Sequence, residues 1–290
     1  MSDSNHSVSI AVLGSVNLDI VASVPRLPVP GETVTGADIR RYPGGKGANQ
    51  ALAACRLGAR TALIGSVGED AEAGEALALL RAAGVDLSAC RAAHGFPTGI
   101  ALIAVSAAGE NQIVVAPGAN RALAPDALTL PPADALLAQL EIPIRTLETA
   151  AANFPGLICL NLAPAMRVSR PLLHRAHLIV VNETEAAFFG DALHDGPGLV
   201  AVTFGAAGAR LYRGGEELAA AAAPRVQAID TTGAGDCFTA ALAVAMVEHQ
   251  ALEDALAFAC AAAALATTVR GAQPSLPDRG RVEAFLRKRG

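Results

Sequence analysis

Six short runs of consecutive apolar residues, at 9–13, 61–65, 135–140, 157–161, 178–181 and 199–203, are spaced through the chain by alanine- and leucine-rich stretches such as 48–57 and 71–83. Strands that are apolar without alternation are buried on both faces, the pattern of a mainly parallel sheet. Strand–helix alternation with such strands predicts a three-layer α/β sandwich. A chain of 290 residues with 52% hydrophobic residues supplies a core large enough for one such sheet.

Two regions break the rhythm. Residues 19–42 and 99–115 combine β alternation with turn residues and have no helix between their strands. They predict a small antiparallel β sheet standing off the main one, suited to be a lid or an oligomer surface. The last third, 233–290, reads almost entirely as helix.

A mean hydropathy of +0.39 raises the question of a membrane. The surplus is mostly alanine, and the best candidate stretch, 255–269, ends at Arg270, short of the ~20 apolar residues a span needs. It predicts a buried helix and no membrane association. The N-terminus carries Asp3 and His6 and no basic region before an apolar one, so no secretory leader is expected. A net charge of −5, no Trp, two Tyr and eight Phe argue against nucleic-acid binding. Five cysteines, at 55, 90, 159, 237 and 260, stand singly in apolar surroundings, as expected of free thiols in a reducing cytoplasm. The histidines show no metal-ligand spacing, and no nucleophile elbow or Walker A loop is present.

The most informative segment is IDTTGAGDCFTAALA, residues 229–243. Its turn, Gly233, Ala234 and Gly235, runs straight into a helix, where backbone N–H groups and the helix dipole favour an anion. Asp236 in the first turn is suited to act as general base for a hydroxyl attacking phosphorus, although Asp is also an ordinary cap there. Asp230 and two threonines precede the turn. In PGGKGANQA, residues 43–51, Lys46 and Asn49 lie beside glycines that would serve either helix packing or a polar ligand. GSVNLD, residues 14–19, follows the first strand, the edge where open α/β sheets bind ligands; Asn17 and Asp19 suit hydroxyl groups, or form a plain turn. NETE, residues 182–185, suits a hydrated Mg²⁺ or a helix cap. Glu141, at the end of its strand, can pair with a sugar hydroxyl. TFGAAG, residues 203–208, is a hairpin turn or a nucleotide loop.

These segments, with PGETVTG (30–36), LIGSVGED (63–70), PTGIALI (97–103), GENQIVVAPGAN (109–120), LEIP (140–143) and RGAQPSLP (270–277), occur in the order seen in the ribokinase branch of the PfkB-type carbohydrate kinases. The chain resembles that family over nearly its whole length, which implies a single ribokinase-like kinase domain, 1–290, with the 19–42 and 99–115 strands inserted as a small lid. The resemblance implies ATP-dependent phosphorylation of D-ribose at O5. Asp236 would be the base, and the N–H groups of Gly233, Ala234 and Gly235 the anion hole. Asn17, Asp19, Gly45, Lys46, Gly47, Ala48, Asn49 and Glu141, with Asp236 itself, would surround the sugar. Asn182, Thr203, Phe204, Gly205, Ala206, Ala207, Gly208, Gly235 and Cys260 would border the nucleotide. Glu185 would lie near Mg²⁺. K⁺ would be bound by Asp230, Thr232, Ala266, Val269, Gly271 and Ser275, mainly through carbonyls. Lid strands would pair subunits into a homodimer in the cytoplasm. The alternatives are a sibling kinase for 2-deoxyribose or a nucleoside, and a non-catalytic sugar-binding relative.

Three departures from the family pattern stand out. Leu162 replaces a usual proline, Cys260 replaces a usual polar residue, and 186–199 is too short for the whole helix expected there. The last two are expected to affect nucleotide affinity.

Overall fold

A computed structural model describes residues 8–288; Asp3 and His6, which bear on the expected absence of a leader, lie outside them. The chain begins with β1 (Ser9–Leu13), β2 (Asn17–Val24) and β3 (Asp38–Gly44), followed by helix α1 (Lys46–Arg56). Next come β4 (Arg60–Val67), α2 (Ala71–Ala76), α3 (Ala78–Ala83), β5 (Cys90–Ala92), β6 (Gly99–Ser106) and β7 (Asn111–Ala116). Strands and helices then alternate through β8 (Ala135–Gln139), α4 (Ile144–Asn153), β9 (Leu157–Asn161), α5 (Arg170–Arg175), β10 (Leu178–Asn182), α6 (Glu183–Phe189) and β11 (Leu199–Thr203). The hairpin β12 (Ala209–Arg213) and β13 (Glu216–Ala221) precedes α7 (Ala234–Val247), α8 (Leu252–Ala266), α9 (Ala272–Ser275) and α10 (Arg279–Arg287).

Nine strands form one sheet in the order β13-β12-β11-β10-β9-β8-β1-β4-β5. It is parallel from β11 to β5 and antiparallel in its last two pairs, β11/β12 and β12/β13. Successive side chains explain the unbroken apolar runs. Ile10 and Val12 join Leu137 in a core under α1, α7 and α8, while Ala11 and Leu13 join Leu136 and Ala138 in a second core under α4 and α5. Both faces are therefore buried, as the sequence predicts. Between β1 and β8 the chain switches from building one side of the sheet to the other. Such a switch leaves a crevice at the strand carboxyl ends.

The alanine-rich stretch 255–269 becomes α8, buried along most of its length. Among the described residues no helix is long and apolar enough to cross a membrane. The five thiols are free, three of them buried.

The second sheet has the order β3-β2-β6-β7. Its two outer pairs run antiparallel as expected, and its middle pair, β2/β6, runs parallel with Asp19 opposite Ala101. The helix expected over 71–83 is broken at Leu77 into α2 and α3. The short segment after Glu185 forms α6 and a single 3₁₀ stretch, Gly190–His194, whose Leu193 packs into the second core. The outer layer there consists of these two short elements.

Candidate active site

Gly233 starts α7 at φ +78°, and a Cβ there would lie 3.0 Å from Ala272. Left-handed backbone and close approach both require glycine at this position. The turn aims the N-terminus of a 14-residue helix into an open cleft. Lys46, Asn161, Asn182, Glu185, Thr203, Gly233, Gly235 and Asp236 contribute to its wall.

Asp236 is not the cap of this helix. Its Oδ2 accepts from Asn49 Nδ2 at 2.8 Å and its Oδ1 from Gln50 Nε2 at 2.9 Å, so α1 grips the carboxylate of α7. The residue is only 7% exposed and still borders the cleft. A buried, oriented carboxylate beside backbone donors at a helix N-terminus can take a proton next to a bound anion.

The second cluster sits where β1, β2, β8 and α1 converge. Gly45, at φ +86°, lets α1 begin against the Ser15–Asn17 turn; a Cβ there would lie 2.7 Å from the Asn17 nitrogen. Gly47 packs on the backbone of Gly14, and Ala48 N–H donates to the Ser15 carbonyl at 2.9 Å. Glu141, just past β8, accepts from the Ser15 hydroxyl and from Lys46 N–H at 3.2 Å, with Lys46 Nζ 3.9 Å away. Asn17 Oδ1 accepts from Asn120 Nδ2 at 2.8 Å, and Asn120 also bonds the Val16 backbone in both directions. Asn17 is thereby oriented by a buried partner. Asn49 Oδ1 is a buried acceptor with no donor among the described residues.

Charge is crowded here. Burial, then Glu141 and Asp236, push the Asp19 carboxyl up to about 7, against the pull of Lys46. Burial works to lower the Lys46 ammonium, but Asp236, Glu141, Glu185 and Asp19 together raise it above its usual value. Lys46 is the cation all four acids share. Burial likewise raises Glu185, partly offset by its bond from Asn182 N–H and by Lys46.

Asn182 and Glu185 form a reciprocal capping box on α6, each side chain accepting the other's N–H at 2.8 Å. The cap reading of NETE therefore holds, and both residues also border the cleft. Thr203 lies on the same wall, and 204–208 form a tight turn closed by Phe204 N–H to the Gly208 carbonyl at 2.8 Å. Arg210 stacks over Phe204 at 5.6 Å. Cys260 is turned onto β13, its thiol 3.8 Å from the Ala221 carbonyl, and is pushed up to about 11 by burial. It is not among the residues lining the cleft.

Asp230 ties two loops together, accepting from Thr232 N–H at 2.9 Å and Gly271 N–H at 2.8 Å. Burial opposes its charge, but these bonds prevail and hold the carboxyl below its usual value. Ser275 donates to the Ala272 carbonyl at 2.7 Å. Ala266 ends α8, and the Thr267 carbonyl just beyond it accepts from Ile229 N–H at 2.7 Å and Asp230 N–H at 3.1 Å. No cluster of three or more His, Cys, Asp or Glu suited to a metal exists among the described residues.

The sequence reading missed Gln50, Gln139, Asn161, Ser15 and Asn120. For Gln50, Gln139 and Asn161 the signal was a polar residue inside a largely apolar strand or helix, which is buried only when paired; Ser15 and Asn120 lie in a turn and a 3₁₀ stretch and gave no such signal.

Comparison with known proteins agrees with this architecture. The family described as pfkB family carbohydrate kinase matches residues 8–279. A ribokinase of Haemophilus influenzae is 38% identical over 301 residues, covering 96% of this chain and 98% of that protein. One of Bacillus subtilis is 38% identical, covering 96% and 99%. The solved Arabidopsis thaliana ribokinase complexed with ribose and ATP has a TM-score of 0.86 at 32% identity, covering 97% and 99%. That of Thermotoga maritima reaches 0.87 at 34%, with the same coverage. With the family matched over almost its full length and these relatives sharing its fold, the chain belongs to the pfkB family of carbohydrate kinases.

Proposed function

We propose that this kinase transfers the γ-phosphoryl group of ATP to O5 of D-ribose, giving D-ribose 5-phosphate and ADP. One observation carries the reading: the buried Asp236 carboxylate, clamped by Asn49 and Gln50, borders the cleft into which the α7 N-terminus points. The relatives named ribokinases, one solved with ribose and ATP, support the choice of sugar and nucleotide.

Asp236 takes the proton of the O5 hydroxyl as that oxygen bonds to the γ-phosphorus, and the bond from phosphorus to the β–γ bridging oxygen breaks to release ADP. The N–H groups of Gly233, Ala234 and Gly235 stabilise the charge that develops on the transferring group. Asn17, Asp19, Gly45, Lys46, Gly47, Ala48, Asn49 and Glu141 surround the sugar. Asp19 and Glu141 accept from its hydroxyls, Lys46 donates, and Asn49 Oδ1 gains the donor that the described residues do not supply. Asn182, Thr203, the turn 204–208, Gly235 and Cys260 border the nucleotide.

The residues fit both expected ions. Glu185 borders the cleft with one oxygen held by Asn182 N–H, and its carboxylate suits a largely hydrated Mg²⁺ on the nucleotide phosphates, where the ion would neutralise charge. Asp230, Thr232, Ala266, Val269, Gly271 and Ser275 offer one carboxylate and otherwise carbonyl or hydroxyl oxygens, suited to a large monovalent ion such as K⁺ that would order the 230–236 turn. The 19–42 and 99–115 strands act as a lid inserted in a single kinase domain, 1–290. On the lid face opposite Asp19, Ile39, Leu102 and Val114 are 59%, 50% and 65% exposed, and this apolar face pairs two subunits as a homodimer. Use of ATP and the free thiols support a cytoplasmic enzyme.

A deoxyribokinase of Salmonella typhi is 30% identical over 96% of this chain, which keeps 2-deoxyribose as the second reading. Comparing kcat/KM on ribose, 2-deoxyribose and nucleosides tests the assignment. Ribose is expected to lead by about tenfold or more, since a site built to bond a hydroxyl rejects the analogue lacking it. An equal lead for another acceptor overturns the ribose assignment, and no ADP formation with any acceptor turns the protein into a binder.

A further inference from the structure

Behind Asp236 lies a chain of buried amides that the proposed reaction does not use. Gln50 and Gln139 are fully buried and Asn161 is nearly so. Gln50 Nε2 donates to Asp236 Oδ1 at 2.9 Å and to Asn161 Oδ1 at 3.1 Å. Asn161 Nδ2 donates to the Val180 carbonyl at 3.2 Å, which turns the Asn161 oxygen toward Gln50. Gln139 Nε2 donates to Gln50 Oε1 at 2.6 Å.

The direction of every bond follows from its neighbours. An ionised carboxylate only accepts, so Gln50 must present its amide N–H groups to Asp236 and its oxygen to Gln139. Flipping Gln50 would set its oxygen against the oxygens of Asp236 and Asn161 and its nitrogen against that of Gln139. The arrangement leaves Gln139 Oε1 buried without a donor among the described residues. Leaving a buried acceptor unpaired is unfavourable, and the same strand otherwise carries only leucine and alanine in the core. An apolar pair at 50 and 139 would fill the space without that penalty. The amides make sense as a device aimed at the carboxylate.

We propose that Gln50, oriented by Gln139 and Asn161, is a positioning residue for Asp236. It fixes the carboxylate plane so that lone pairs not bonded by Asn49 and Gln50 face the acceptor hydroxyl. This rests on the kinase reading of the same cleft. Asn49 holds Oδ2 and Gln50 holds Oδ1, so losing Gln50 frees the carboxylate to rotate while leaving the sugar-facing groups Asn17, Asp19 and Glu141 in place.

Gln50→Met keeps the volume and removes the amide; Gln50→Glu keeps the shape and sets a second carboxylate beside Asp236. Both are assayed with whichever of ribose, 2-deoxyribose and nucleosides the wild type turns over best. Gln50→Met is expected to lower kcat by about tenfold or more, with acceptor KM changed by less than about threefold, the signature of a misplaced catalytic group. Gln50→Glu is expected to move the acidic limb of the kcat profile to higher pH by about one unit, because a neighbouring like charge favours the protonated acid. Gln139→Met is expected to act in the same direction as Gln50→Met, more weakly. Should Gln50→Met fail to fold, Gln50→Glu and Gln139→Met decide. A kcat near wild type, a loss in kcat matched by a rise in KM, or an unmoved acidic limb would overturn the role of Gln50. A wild type that turns over none of the acceptors defeats the kinase reading itself, and this proposal with it.

Discussion

The two sheets meet at the turn between β1 and β2, and they are stabilised in different ways. In the nine-stranded sheet, Leu136 and Leu137 are fully buried on opposite faces. Its polar intrusions, Gln139 and Asn161, are both hydrogen-bonded to Gln50 of α1, which in turn bonds Asp236. The four-stranded sheet is thin: β7 is exposed along its whole length, and Ile39, Leu102 and Val114 face outward. It is tied to α2 by Arg41, whose ion pairs with Glu72 and Glu75 lie in solvent. The groups assigned to chemistry stand on the rigid sheet and its helices, while Asp19, assigned to the sugar, comes from the looser one. Precision at the reacting atoms calls for the first kind of support, and admitting a substrate calls for the second.

The sharpest way to break this contrast is Asp236→Asn. It is expected to lower kcat by about 10²-fold or more, the usual share of base catalysis; steady-state ADP formation measures it, and an unchanged kcat would refute the mechanism. Leu137→Ala should lower stability by about 2–5 kcal/mol, read by denaturant unfolding, because the packed sheet cannot collapse onto the cavity.

Asp19→Ala should weaken ribose by about 10- to 100-fold, the worth of a hydrogen bond to a charged group. Asp19 also predicts a pH dependence. Its carboxyl is raised from 3.8 to about 7 on folding. Between those values the folded protein keeps a proton that the unfolded chain has released, so ligand-free stability should fall as pH rises toward 7 and then level. Asp19→Asn should flatten that slope in thermal melts from pH 5 to 8; an unaltered slope would show that Asp19 is not its source. Smallest of all, Arg41→Ala should leave Tm nearly unchanged, since its pairs are solvent-exposed and screened by salt. A large loss there would show the lid to be held more tightly than its contacts imply.

The parallel sheet was legible because burial on both faces leaves unbroken apolar runs, and β1, β9 and β11 fall on the expected residues. The pairing direction of β2 and β6 was not, because alternation reports a strand's faces and says nothing of its neighbour's polarity. Asp236 and Asn49 were legible through the glycines around them. The pairing of Gln50 with Gln139 was not: a lone polar residue in an apolar segment signals that it needs a partner, but no spacing betrays which one, here 89 positions away. The orientation of Cys260, whose thiol faces the Ala221 carbonyl, was not legible either. A helical position alone does not fix which way a side chain turns.

The central claim is that proton transfer and sugar binding belong to different parts of this cleft. Calorimetric titration of ribose into Asp236→Asn, set beside its turnover, tests it most directly. The account predicts a Kd within about threefold of wild type, a difference below ~0.7 kcal/mol, in a variant whose kcat has collapsed. Loss of ribose binding together with turnover would contradict it.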